Sequence, residues 1–150
     1  MTSHSPYLKT LIVGRQMPKL PSNDLGKLFH DLLAPTRSLG MLSEIAQDSL
    51  GNDKNGLEKL MLNGRNSILK STAKARNTLS KVAEQNKEAA SLFQAIEGHF
   101  LPQLEYINEQ LNNTAIWKDE DALHTLARRT NQLSQDNVKF RHGIYSSVTR

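Results

Sequence analysis

The stretch LFHDLLAPTRSLGMLSEI, residues 28–45, decides the fold because its apolar residues recur at the spacing of an amphipathic helix. Just before it, PSND supplies Ser22 and Asn23, residue types that cap the start of a helix. The apolar positions of the extended pattern are separated by three or four residues or by multiples of these spacings: Leu25, Leu28, Phe29, Leu32, Leu39, Leu42 and Ala46. The pattern predicts a first helix over about 23–50.

The remainder of the chain contains three further helical patterns separated by turn sequences. GNDKNG at 51–56 is typical of a turn, and NNTAIWKDED at 112–121 separates the last two patterns. These patterns predict helices over about 56–86, 88–112 and 118–140, with a kink at Pro102, and no strand pattern competes with them. Short connections between long helices favour antiparallel neighbours. The sequence therefore predicts an all-α, up-down four-helix bundle over residues 23–150.

Composition excludes several classes of site. The chain has 150 residues, about one domain, and no cysteine, which rules out disulfides, thiolate metal ligands and a cysteine nucleophile. Its five histidines do not cluster at ligand spacing, so we expect neither a metal nor a cofactor. The longest purely apolar run, LIV at 11–13, is far shorter than the roughly 20 residues of a membrane helix. We expect a soluble, cytoplasmic protein with no membrane partner.

The first residues are distinct from the helical part. Residues 1–22 contain Lys9, Arg15 and Lys19, three prolines and no acid. This composition predicts a flexible basic leader, and a mitochondrial transit peptide is the alternative interpretation.

One histidine of the first helix occupies its polar face. With about 100° of rotation per residue, His30, Ala34, Arg37 and Met41 fall almost opposite the apolar positions. We therefore expect His30 to be exposed to solvent. An exposed histidine without any chemical role is the alternative.

The residues around His30 resemble a known motif. His30 is followed by Asp31, Leu32 and, after two residues, Pro35, with Leu39 four residues further on. This run resembles the H-box of the dimerisation and histidine-phosphotransfer domain of sensor histidine kinases. The close match covers about ten residues, and two long helices joined by a short loop extend the likeness from about residue 24 to 82. The sequence departs from the residues usual in the family at Phe29, Leu33, Ala34 and Thr36.

The resemblance implies a function for three of these residues. A neutral imidazole is a nucleophile near physiological pH and can carry a phosphoryl group, which is the role that the resemblance implies for His30. It also implies that Asp31 orients the imidazole and accepts its proton, although on sequence alone Asp31 could be a plain solvated carboxylate. Pro35 cannot donate a hydrogen bond to the carbonyl of Asp31, so we expect the helix to bend there.

The resemblance also limits the activity. Nothing after Val82 resembles the nucleotide-binding domain of a histidine kinase, so we expect a phosphoryl carrier without its own ATP-binding domain. Such a carrier would exchange the group with a histidine kinase or with the receiver domain of a response regulator. Whether two chains associate through the first two helices stays open.

The second helix carries a basic face. Between Lys59 and Lys81 it has six cations and no acid, and the whole chain has a net charge of +4. This face is either simply solvated, or docks on the acidic pocket of a receiver domain, or binds nucleic acid. A non-catalytic helical adaptor or inhibitor is a further alternative. The residues expected to contact a partner are Ala34, Arg37, Ser38, Met41, Lys59, Lys70 and Lys74.

Overall fold

Four helices make up the part of the chain that the structure, a computed structural model, describes: residues 22–49 and 54–148. They are listed in chain order as α1 Ser22–Ser49, α2 Lys54–Gln85, α3 Ala90–Asn112 and α4 Glu120–Val148. Short 3₁₀ helices at Lys87–Ala89 and Ile116–Lys118 precede α3 and α4. None of the helices within these ranges is long and apolar enough to cross a membrane. The predicted leader lies outside the described residues, apart from Ser22.

The helices run antiparallel to their neighbours around the bundle. Three hydrogen-bonded pairs each join an early part of one helix to a late part of another: Asp31 to Thr78, Arg65 to Asn112, and His124 to Gln47. Between α3 and α4, His99 contacts Asn137, whereas the later Tyr106 lies under the earlier Arg129. This arrangement confirms the predicted all-α, four-helix bundle.

The predicted apolar faces form the core. Every apolar position predicted on α1 is buried, and α3 and α4 bury apolar faces of their own that include Ile96, Leu104 and Leu126. Aromatic rings from different helices pack against each other: the ring centroid of Phe29 lies 6.0 Å from that of Phe100 and 5.7 Å from that of Tyr145. Burying one such side chain contributes about 1.5–3 kcal/mol. On α2 the core comprises Ile68, Ala75, Leu79 and Val82, with Met61 and Gly64 half-buried. Leu57 continues the same helical spacing, and its side chain lies outside the described residues.

Two features differ from a simple helical pattern. Pro35 and Pro102 lie inside α1 and α3, and each helix continues through its proline. A proline removes one backbone hydrogen bond, and the tertiary packing of a long helix tolerates that loss. In addition, α4 extends to Val148, beyond the predicted end near residue 140, because Gly143 and Ile144 continue its buried face.

Candidate functional site

His30 lies on the solvent side of α1. Its side chain is 82% exposed, which confirms the exposure predicted from the helical periodicity. Arg37 and Met41 follow on the same side of the helix and are also exposed, whereas Ala34 and Ser38 are half-buried. The imidazole is therefore accessible to another molecule.

Asp31 is buried, although it follows an exposed residue. Only 4% of its side chain is exposed, because one residue of helical rotation turns it towards α2. There the hydroxyl of Thr78 donates a hydrogen bond of 2.7 Å to Oδ2, and the Nζ atom of Lys74 lies 3.7 Å from Oδ1. The interpretation of Asp31 as a solvated carboxylate is therefore wrong: the carboxylate is held by a second helix.

The same carboxylate contacts the imidazole. Nδ1 of His30 lies 3.4 Å from Oδ1 of Asp31. A carboxylate only accepts hydrogen bonds, so this contact favours the tautomer in which Nδ1 carries the proton and donates it. The lone pair of that neutral tautomer is on Nε2, at the exposed end of the ring.

The surroundings of Asp31 favour its ionised form. Burial alone would raise the pKa of this carboxyl group. The hydrogen bonds from Thr78 and His30 and the positive charge of Lys74 outweigh burial and lower the pKa below its ordinary value. Asp31 is therefore a carboxylate at neutral pH. In that state it can stabilise a positive charge that develops on the neighbouring imidazole.

A basic cleft lies beside this pair, between the start of α1 and the second half of α2. It has a volume of about 530 Å³, and Lys27, Lys70, Lys74 and Lys81 contribute to its walls. Lys59 is exposed but lies outside the cleft, 11 residues before Lys70 and about 16 Å away along the helix. The structure thus brings together three of the four lysines on the predicted basic face and adds Lys27, whose place beside α2 the sequence did not reveal.

A smaller groove lies on the other side of α1, against α4. Its volume is about 270 Å³, and its walls include Arg37 and Met41. The two helices approach closely here, as Gly40 shows: a Cβ atom at this position would lie only 3.1 Å from Oγ1 of Thr130. Two of the residues expected to contact a partner therefore line this groove, which begins further along α1 than His30.

Sequence reasoning missed a second polar cluster, which joins α3 to α4. The amide side chains of Gln103 and Asn137 are buried and donate to each other's oxygen atoms over 2.8 and 2.9 Å. Nε2 of His99 lies 2.9 Å from Oδ1 of Asn137, and its ring stacks on Phe140 with 4.0 Å between the ring centroids. Burial lowers the pKa of His99, although its hydrogen bond to Asn137 opposes that shift. His99 is therefore a packing residue rather than an exposed nucleophile.

Neither a search for metal ligands nor comparison with known proteins identifies another site. In the described ranges, no three histidine, aspartate or glutamate side chains come together as a metal site would require. No protein-family model matches the chain, and neither does a curated protein or a solved structure. The likeness to the H-box therefore rests on the sequence around His30 alone.

Proposed function

We propose that this chain is a histidine phosphotransfer protein that relays a phosphoryl group to or from a response regulator through His30. The observation that carries the proposal is the pairing of an exposed imidazole with a buried, ionised carboxylate 3.4 Å from its Nδ1 atom. The likeness of residues 30–39 to the H-box adds to it. In this proposal the donor is a histidine kinase or a phosphorylated receiver domain.

The chemistry follows from the two ring nitrogens. Nε2 of His30 attacks the phosphorus atom of the donor, and a new N–P bond forms as the bond to the donor's oxygen or nitrogen breaks. The imidazole then carries positive charge, and its Nδ1 proton is held by Asp31. Transfer to the aspartate of a receiver domain runs in the reverse sense and returns the neutral imidazole. No nucleotide is required, because the donor supplies the phosphoryl group.

Asp31 is suited to this role because it is already fixed in place. Thr78 and Lys74 hold its two oxygen atoms from α2, so the carboxylate need not rearrange when charge develops on the ring. Charged groups oriented before the reaction stabilise a transition state more effectively than groups that must reorganise. Thr78 and Lys74 would therefore act as positioning residues for Asp31.

The second candidate function is that of a helical adaptor that binds a partner without transferring a group. It is favoured by apolar side chains that remain exposed, above all Met41, which is 63% exposed and lines the groove between α1 and α4. Methionine is common at binding surfaces because its side chain adapts to different partners. Nucleic-acid binding is the third candidate, and it rests on positive charge alone.

The test is to mix the protein with a panel of phosphorylated receiver domains and a histidine kinase. We expect the wild-type protein to acquire label that is labile in acid and stable in base, as phosphohistidine is. His30→Gln should abolish the labelling, whereas His142→Gln, a change at another exposed histidine, should not. A His30→Gln protein that is labelled at the wild-type rate would refute the proposal. A wild-type protein that no donor labels would favour the adaptor.

A further inference from the structure

The basic cleft concentrates positive charge from two helices. Lys27 of α1 and Lys70, Lys74 and Lys81 of α2 line it, against a single lining carboxylate, Asp24. Like charges that converge in one cleft repel each other, and a bound anion removes that repulsion. The three lysines of α2 follow each other at spacings of four and seven residues, so they form one stripe about 16 Å long.

The shape and lining of the cleft indicate the class of anion. Its volume of about 530 Å³ is many times the roughly 30 Å³ that one water molecule occupies in the liquid, so several phosphate groups fit. Lysine binds phosphate as a point charge, and the amides of Asn77 and Gln85 add neutral polar groups to the walls. The apolar lining consists of Ala73 and Val82 without an aromatic ring, so the cleft has no surface on which a base could stack.

We infer that this cleft is a binding site for a linear oligophosphate, whose successive phosphate groups contact Lys70, Lys74 and Lys81, with Lys27 on the opposite wall. This inference does not rest on the proposed phosphotransfer, since it uses neither the His30 ring nor a partner protein. The two sites share one residue, because Lys74 lies 3.7 Å from Asp31, which in turn contacts His30. An anion in the cleft would compete with Asp31 for the ammonium group of Lys74.

The test is calorimetric titration of the full chain with tripolyphosphate at physiological salt. We expect tripolyphosphate to bind at least about tenfold more tightly than orthophosphate, because it contacts several lysines at once. ATP should bind no more tightly than tripolyphosphate, because the adenine ring gains no stacking partner. In a parallel NMR titration, tripolyphosphate should shift the ring resonances of His30 through Lys74 and Asp31.

Matched variants distinguish binding in the cleft from diffuse attraction to the positive charge of the whole protein. Lys70→Ala with Lys74→Ala should weaken tripolyphosphate binding by about tenfold or more. Lys118→Ala with Lys139→Ala removes the same charge from exposed positions outside the cleft and should leave binding within about twofold. His30→Gln should also bind normally, so failure of phosphotransfer and failure of this site are distinguishable.

Three results would overturn the inference. The first is no measurable binding of tripolyphosphate at physiological salt. The second is an equal loss of affinity in the two double-lysine variants, which would indicate diffuse electrostatic attraction. The third is tighter binding of a DNA duplex than of tripolyphosphate, lost in Lys70→Ala with Lys74→Ala, which would assign the cleft to nucleic acid.

Discussion

Thr78→Val tests how α2 supports the carboxylate of Asp31. Valine keeps the shape of threonine but loses the hydroxyl group that donates over 2.7 Å to Oδ2 of Asp31. A hydrogen bond to a charged group contributes about 1.5–3 kcal/mol, and Asp31 is only 4% exposed, so water cannot easily replace it. Lys74 and His30 still contact the other oxygen, so we expect a loss of about 2 kcal/mol. For a domain of this size that lowers Tm by about 4–8 °C.

The pH dependence of this loss identifies the carboxylate as its cause. The wild-type pKa of Asp31 lies below its ordinary value of 3.8, so the stability that Asp31 contributes is present above that pH. It disappears as the pH falls through the lower pKa of the folded state. Thr78→Val raises that pKa, so the difference in stability between wild type and variant should be complete at pH 7 and should shrink as the pH falls towards and below 3.8.

Urea denaturation followed by circular dichroism at pH 7 and at a series of lower pH values measures both effects. Thr78→Ser retains the hydroxyl group and should retain the wild-type pH dependence. Thr125→Val, at an exposed position, should change the free energy of unfolding by no more than about 0.5 kcal/mol. A Thr78→Val protein as stable as wild type at pH 7, or destabilised by the same amount at pH 7 and at every lower pH at which the wild type still folds, would refute this account of Asp31.

The remaining predictions concern the core and the α3–α4 contact. Leu32→Ala, at a fully buried position, should cost about 2–5 kcal/mol in urea denaturation, whereas Leu62→Ala, at an exposed one, should cost less than about 0.5 kcal/mol. Because burial lowers the pKa of His99, the free energy of unfolding should fall as the pH drops below about 6.5. His99→Gln should remove this contribution to the pH dependence of Tm, measured by thermal denaturation. Asn137→Ala leaves Gln103 without its buried partner and should cost about 1–3 kcal/mol; no loss of unfolding free energy would contradict the network.

The helices could be predicted because their signal is local. Apolar residues three and four apart define a buried face within a single segment, and this face gave the core of α1 without reference to any other helix. The exposure of His30 follows from the same periodicity. The end of α4 was predicted too early because the apolar pattern was followed only to Phe140, whereas Ile144, four residues further on, is fully buried.

The contacts around Asp31 could not be predicted because they are not local. Thr78 is 47 residues away in sequence, and its position opposite Asp31 depends on the register of α1 against α2. That register depends on packing, including the close approach at Gly64, where a Cβ atom would lie 2.7 Å from Leu42. Lys27 joins the cleft for the same reason. A sequence pattern assigns a residue to a face of its own helix and does not identify the residue opposite.

The adjacency of His30 and Asp31 connects the packing of α1 on α2 to the surroundings of an exposed imidazole. Two consecutive helical residues are rotated by about 100°, so at the edge of a helix–helix contact one side chain can be almost fully exposed while the next is buried. The buried residue can then be fixed by the second helix without restricting access to the exposed one. Because Thr78 fixes Asp31, the proposed function predicts that a change that loosens α1 from α2 slows phosphotransfer even where it leaves His30 untouched. The same proposal predicts that His30→Gln abolishes transfer. Because the His30 side chain is 82% exposed, this variant should fold with little change in stability.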